Sequence, residues 1–302
     1  MRTIAAFALA GLLLGQAPQP PAGQGTGQAQ GQGQGRGRGG GFFRQPDPID
    51  FQEHEGWTSL FDGKTLNGWS GDSNWKVEDG AIVIESTCER PTGTVYLVWQ
   101  GGDASDFELK MQMKGTGAIN GGVQYRGWIA PRPQRGAPPA GAAPGAQGGG
   151  AGGRGNQGPC ESGQARGTPP DPKSEEQWNM WGAQYDFDAG NRFTGQFYEQ
   201  STGRGIVAWK GQVVRTDVDK NPRLVATLGD AASIDAIYKP NEWNELHIIA
   251  VGNQMTHLLN GRVISILIDE DATKFHGSGK IGLEVEATGK LFTRGIWLKK
   301  LH

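Results

Sequence analysis

Polar side chains two residues apart share one face of a β-strand, and three stretches of this chain carry such sets. They are Gln124 with Arg126; Gln184 with Asp186 and Asp188; and Glu284 with Glu286. A fourth stretch ends in Tyr198 and Glu199 and is followed by Arg204. Carboxylates can move protons, a guanidinium can steady developing negative charge, and amides and a phenol can orient hydroxyl groups. Polar groups taken out of water need partners. Such strands therefore form either a ligand-facing surface or an ordinary solvated sheet face.

The elements that must position these residues are short strands. Phe107, Leu109, Met111 and Met113 alternate with Glu108, Lys110, Gln112 and Lys114, so one face is expected to be buried and the other wet. Asp79-Gly80 lies in the middle of Trp75–Glu85, and Asn260-Gly261 separates Met255–Leu259 from Val263–Ile268. Both dipeptides are hairpin signals. Further strands are expected at 95–99, 122–128, 183–187, 195–198, 206–209, 246–251, 280–285 and 291–298. Helical evidence reduces to a capping box at Ser174 to Gln177. A dozen or so short strands without βαβ alternation predict an all-β antiparallel sandwich or jelly roll.

Ten tryptophans offer flat apolar surfaces on which a sugar ring can stack. Trp69, Trp99, Trp128, Trp178, Trp181 and Trp209 fall near strand ends, where packing is the alternative. His257 reads as a packed or hydrogen-bonded residue rather than a base. His54, His247, His276 and His302 form no cluster in the sequence.

Glycine is unevenly spread. Residues 18–41 hold 10 of the 51 and residues 136–167 hold 12, compositions that cannot bury enough apolar surface to order a chain. The organisation expected is a signal peptide at 1–17, a Gly/Gln-rich linker at 18–41 and one domain over 52–302, with an insert at about 130–175. Arg2, the apolar run Ile4 to Leu14 and the small-x-small site Gly15-Gln16-Ala17 are the features of a cleavable leader. The run is too short to span a bilayer. The expectation is a periplasmic or secreted protein without a transmembrane segment in its mature form. Lys plus Arg number 29 against 31 Asp plus Glu, and the interspersed charge argues against nucleic acid as a partner. The two cysteines, Cys88 and Cys160, are compatible with a disulfide in an exported compartment but show no metal-ligand spacing. No nucleophile elbow, His-Glu-x-x-His or P-loop is present.

Several stretches carry a more specific signal. Gly56-Trp57-Thr58-Ser59-Leu60-Phe61-Asp62-Gly63-Lys64-Thr65-Leu66-Asn67-Gly68-Trp69 resembles the opening motif of the 3-keto-disaccharide hydrolase domain family. Trp75 to Ala81, Phe107 to Lys110, Asn120 to Arg126, Glu242 to Glu245, His257 to Gly261 and Gly279 to Leu283 follow in that family's order. The resemblance implies a concanavalin-like jelly roll and activity on glycosides oxidised to a ketone at sugar carbon 3. The chain departs from the family pattern at Gly121, at Gly182 and at Glu284-Val285-Glu286, where Ser, Glu and a Gln-x-His pattern are usual.

A ketone at carbon 3 acidifies the hydrogen on carbon 2. Its removal expels the group on carbon 1, and water then adds across the enone. Such a site needs a base, a donor for the enolate oxygen and an acid for the leaving oxygen. With this substrate implied, Asp186 or Glu199 is expected as the base, Arg126 at the enolate oxygen and Glu286 as the acid. Arg204 would hold the substrate or a carboxylate, and Asn120, Gln124, Gln184 and Tyr198 would line the site. The spacing demands no cofactor, although a divalent metal could take the arginine's part. Two other readings stay open. One is a conventional glycosidase with Asp186 paired to Glu199 or Glu286; the other is a non-catalytic sugar-binding module.

Overall fold

The computed structural model describes residues 50–72, 74–131 and 177–301. The expected leader, linker and most of the insert, with the Ser174 capping signal and Cys160, lie outside the described residues. Cys88 is disulfide-bonded.

Strands are numbered in chain order, and ten of them make the larger sheet. Across it run β12 (Arg223–Thr227), β11 (Gln212–Thr216), β15 (Arg262–Asp269), β14 (Gln254–Leu259) and β13 (Asn244–Val251). Then come β6 (Phe107–Gly117), β17 (Gly289–Lys300), β4 (Ala81–Ser86) and β3 (Lys76–Glu78), with β1 (Thr58–Ser59) paired along β17. The seven-stranded sheet runs β10 (Gly205–Ala208), β9 (Phe197–Gln200), β8 (Met180–Asp188), β7 (Asn120–Ile129), β16 (Lys280–Glu286), β5 (Val95–Trp99) and β2 (Trp69–Gly71). The result is an antiparallel jelly-roll sandwich, and β11 lies parallel to β15 within it. A short helix, α1 (Ala231–Asp235), is capped by Asp230, whose carboxylate accepts from Ser233 N at 2.9 Å.

Both predicted hairpin turns form. Asp79 and Gly80 have φ of 48° and 75°, and Asn260 and Gly261 have 49° and 76°. Two consecutive left-handed residues match the twist of the strands they join. Phe107, Leu109, Met111 and Met113 of β6 enter the core between the sheets with Val123, Tyr125, Tyr185, Phe187, Leu283 and Val285.

His257 is buried in this core, as the sequence reading expects. Its Nδ1 donates to the Gly195 carbonyl at 3.2 Å, because a carbonyl can only accept. Nε2 must then accept from the Tyr125 hydroxyl at 2.7 Å. Burial drives the pKa of His257 down to about 3.

The outer face of β6 departs from the expectation of a wet surface. Lys110 is buried because the segment Asp50–Trp57 crosses it. Its ammonium donates to the Glu53 carbonyl and sits 4.3 Å from the Trp57 ring centroid.

Candidate active site

The outward face of the seven-stranded sheet is where polar side chains converge. Val123, Tyr185, Phe187, Leu283 and Val285 point into the core, so the residues between them point outward. In register across the sheet lie Tyr198, Gln184, Gln124 and Gly282. The next row is Asp186, Gly122, Glu284 and Tyr96. A third holds Asp188, Asn120 and Glu286.

Amides tie the carboxylates down. Gln184 Nε2 donates to Glu284 Oε2 at 2.8 Å, Asn120 Nδ2 to Glu286 Oε1 at 3.0 Å, and Gln196 Nε2 to Asp186 Oδ2 at 2.7 Å. Asp188 is occupied locally, accepting from the backbone N–H groups of Gly190 and Arg192 at 2.8 Å each. Asp186 and Glu284 stand on either side of Gly122. A Cβ at that glycine would come within 2.9 Å of Gln184 Nε2 and 2.2 Å of the Tyr185 carbonyl. With one strand between them, the two acidic residues are about 9–10 Å apart at Cα, judged from the spacing of neighbouring strands.

Burial raises the Asp186 pKa well above the ordinary carboxylate range, and the nearby Glu286 and Asp188 charges add to it. The Gln196 hydrogen bond opposes the shift. Asp186 is thus biased toward its protonated form, beside carboxylates that accept hydrogen bonds.

Arg126, Glu199 and Arg204 are elsewhere. Alternation predicts that Arg126 shares the face of Gln124, but β7 shifts register between Gln124 and Trp128, and Arg126 has φ of 49°. The bulge turns Arg126 between the sheets, where it is 1% exposed. There its Nε donates to Ser105 O at 2.8 Å, Nη1 to Gly252 O at 2.7 Å, and Nη2 to Asp106 Oδ1 at 3.0 Å. Glu199 shares the inward parity of Phe197, whereas Tyr198 faces out. Arg204 Nη1 bridges Glu199 Oε1 on one sheet and Asp269 Oδ2 on the other, each at 2.7 Å. Burial raises the Glu199 pKa against the pull of Arg204. Burial also works against the Arg204 charge, but Asp269 and Glu199 more than offset it. Arg126 and Glu199 line a small pocket with Asp269, Trp128, Phe275 and His276.

The structure therefore brings together Asp186, Glu286, Asn120, Gln124, Gln184 and Tyr198, and separates them from Arg126, Glu199 and Arg204. Glu284, a member of the polar sets to which no role was assigned, and Gln196, which the sequence reading did not single out, join the first group. Strand parity already pairs Glu284 with Glu286, but Gln196 enters from the turn before β9, outside any alternating pattern. Trp128 and Trp181 lie together, their ring centroids 6.3 Å apart, with the His276 ring tilted against Trp128 at a centroid distance of 4.0 Å. Among the described residues no group of three or more His, Cys, Asp or Glu is arranged to hold a metal ion.

Fold and site define a jelly-roll sandwich with an amide-and-carboxylate face. The chain belongs to the 3-keto-alpha-glucoside-1,2-lyase-like domain family, whose model matches residues 56–299. It is similar to a 3-keto-disaccharide hydrolase of Bacteroides thetaiotaomicron, 34% identical over 90 residues. That match spans 26% of this chain and 29% of the relative's length. Among solved structures, a candidate glycosyl hydrolase of Parabacteroides distasonis aligns with TM-score 0.45 at 17% identity, over 85% of this chain and 100% of that one. A Bacillus subtilis protein of unknown function with a galectin-like fold aligns with TM-score 0.44 at 9% identity, over 78% and 90% of the two chains.

Proposed function

We propose that this protein cleaves 3-keto-glycosides by elimination and hydration on the outward face of the seven-stranded sheet. The observation that carries the reading is the opposition of Asp186 and Glu284 across Gly122. Burial biases Asp186 toward its protonated form while Glu284 accepts a hydrogen bond, the division of labour that acid–base chemistry needs. Family membership supplies the substrate class.

Glu284 takes the proton from sugar carbon 2, and that electron pair forms the C2=C3 bond as the ketone becomes an enolate. The enolate collapses to an enone, the C1–O bond breaks, and Asp186 delivers its proton to the departing oxygen. Water then adds its hydroxyl to carbon 1 and its proton to carbon 2. Burial, helped by the Glu286 and Asp188 charges, biases Asp186 toward its protonated form, and Tyr198 faces the sugar hydroxyls. Arg126, Glu199 and Arg204 hold the two sheets together at one end and take no part in the reaction. Export to the periplasm or medium is part of the same reading and rests on Arg2 and the Ile4 to Leu14 run.

The test uses a 3-keto-glucoside and its unoxidised parent, with purified protein in D₂O. Release from the keto form alone, with deuterium at carbon 2, is expected. Release from the parent without exchange would replace this mechanism with ordinary glycoside hydrolysis. Binding without release from either would leave a sugar-binding module. N-terminal sequencing of protein recovered outside the cytoplasm checks export, with cleavage after Ala17 expected.

A further inference from the structure

The elimination needs a donor at the enolate oxygen, and among the described residues the outward face holds no arginine once Arg126 has turned inward. Its amide groups can be accounted for individually. Gln184 Nε2 donates to Glu284, Gln196 Nε2 to Asp186, Asn120 Nδ2 to Glu286, and Gln200 Nε2 to the Tyr96 hydroxyl at 3.0 Å. Gln124 differs. Neither end of its amide has a hydrogen-bond partner, so a donor is unspent whichever way the group faces. Oε1 of Gln184 and Oε1 of Gln196 are also without partners. The three glutamines are 0%, 3% and 1% exposed.

Buried polar atoms left unpaired oppose folding, and elsewhere in the sandwich amides are satisfied. Asn260, for example, accepts from Glu245 N at 2.9 Å and donates to Ile237 O and Asn244 Oδ1 at 2.8 and 2.9 Å. Four of the six such atoms among the described residues belong to these three glutamines. Gln124 and Gln184 are direct cross-strand partners, and Gln196 reaches the same strand through Asp186.

We propose that the Gln124 amide N–H is the donor that holds the sugar ketone oxygen and steadies the enolate, while Oε1 of Gln184 and of Gln196 accept from flanking hydroxyls. This rests on the elimination reading of the same face. Gln124 transfers no proton. As the carbon 2 pair moves into the C2=C3 bond, the carbonyl π pair moves onto oxygen, and the Gln124 hydrogen bond strengthens with the growing charge.

Two variants separate the donor from the space it fills. Gln124→Met keeps length and removes both polar atoms; Gln124→Glu keeps oxygen acceptors and removes the N–H. Deuterium entry at carbon 2 of a 3-keto-glucoside should fall by about 10²–10³ in both, as for loss of an oxyanion donor. The melting temperature of Gln124→Met should hold or rise, because unpaired buried atoms have been removed. An exchange rate within about fivefold of wild type overturns the proposal. So does a large fall in melting temperature, which would make the amide a structural partner. If wild-type protein neither exchanges nor releases, the elimination reading fails by itself, and affinity for the keto sugar decides. Weaker keto-sugar binding by Gln124→Met, with binding of the parent glucoside unchanged, then still places Gln124 at the ketone, and unchanged keto-sugar binding removes it.

Discussion

Gln196 Nε2 donates to Asp186 Oδ2 across 2.7 Å, and that bond acts against the burial that raises the Asp186 pKa. Gln196 thus sets both the direction of the carboxyl and the pH at which it loses its proton. Replacing Gln196 with Leu removes a bond that favours the ionised form, so the Asp186 pKa moves further up. An acid must be protonated to act, and the alkaline limb of the pH–rate profile should shift to higher pH. A profile of wild-type shape with uniformly lower rate would show that Gln196 only supports the fold.

Asp186→Asn should separate activity from stability. Turnover is expected to fall by at least about 10² because the leaving oxygen has no proton donor. Stability moves the other way. The folded protein holds the Asp186 proton above the pH at which an unfolded aspartate releases it, so wild-type stability declines as pH rises from the ordinary aspartate value to the raised one. Asparagine does not titrate and can still accept from Gln196. The variant should therefore melt higher at neutral pH, and its advantage should disappear below about pH 4.

Arg204 and Arg126 should behave as fastenings. Arg204→Leu leaves Glu199 and Asp269 buried without their shared cation. Removal of one member of such a buried set costs about 3–5 kcal/mol, readable in urea denaturation. Arg126→Ala should also destabilise, by freeing Asp106 and the Ser105 and Gly252 carbonyls. In both variants turnover per folded molecule should stay within about fivefold of wild type, well short of the loss expected of an oxyanion donor.

His257 gives the sandwich an acid limit. It is neutral when folded, with its pKa lowered to about 3, whereas the unfolded chain takes up a proton near the ordinary histidine value. Its contribution is complete above that ordinary value and is lost as pH falls toward 3. The slope is about 1.4 kcal/mol per pH unit within the window. Chemical denaturation between pH 7 and pH 4 measures it, and His257→Gln should flatten the dependence.

Local alternation made much of the sandwich readable. Phe107 to Met113 buries the face its period predicts, and Asp79-Gly80 and Asn260-Gly261 turn where they should. Strands with little apolar signal were missed. β12 is exposed throughout and is held by its ladder to β11, and β2 has three residues. α1 is a single capped turn. At the site, parity placed Gln184, Asp186, Glu284 and Glu286 correctly because β8 and β16 are regular there. It failed at Arg126 because a bulge is a one-residue event that reverses every later side chain, and Gln124-Tyr125-Arg126 carries no residue type that announces it. Gln196 was invisible for a related reason: it acts from a turn, where period has no meaning.

The crossing of Asp50–Trp57 over Lys110 has a chemical consequence. Burial lowers the pKa of that amine while the strap is closed; uncovered, it is hydrated again and reacts as an ordinary surface lysine does. Covered by the Glu53 carbonyl and the Trp57 ring, it is out of reach of an acylating reagent. Exposed lysines acquire label at once, and Lys110 acquires it only as often as the strap comes away. Once acylated, the side chain has lost the charge that Trp57 and Glu53 hold, and the strap has nothing to close on. Lys110 is therefore both a clock for the opening of this edge and a latch that a single modification leaves undone.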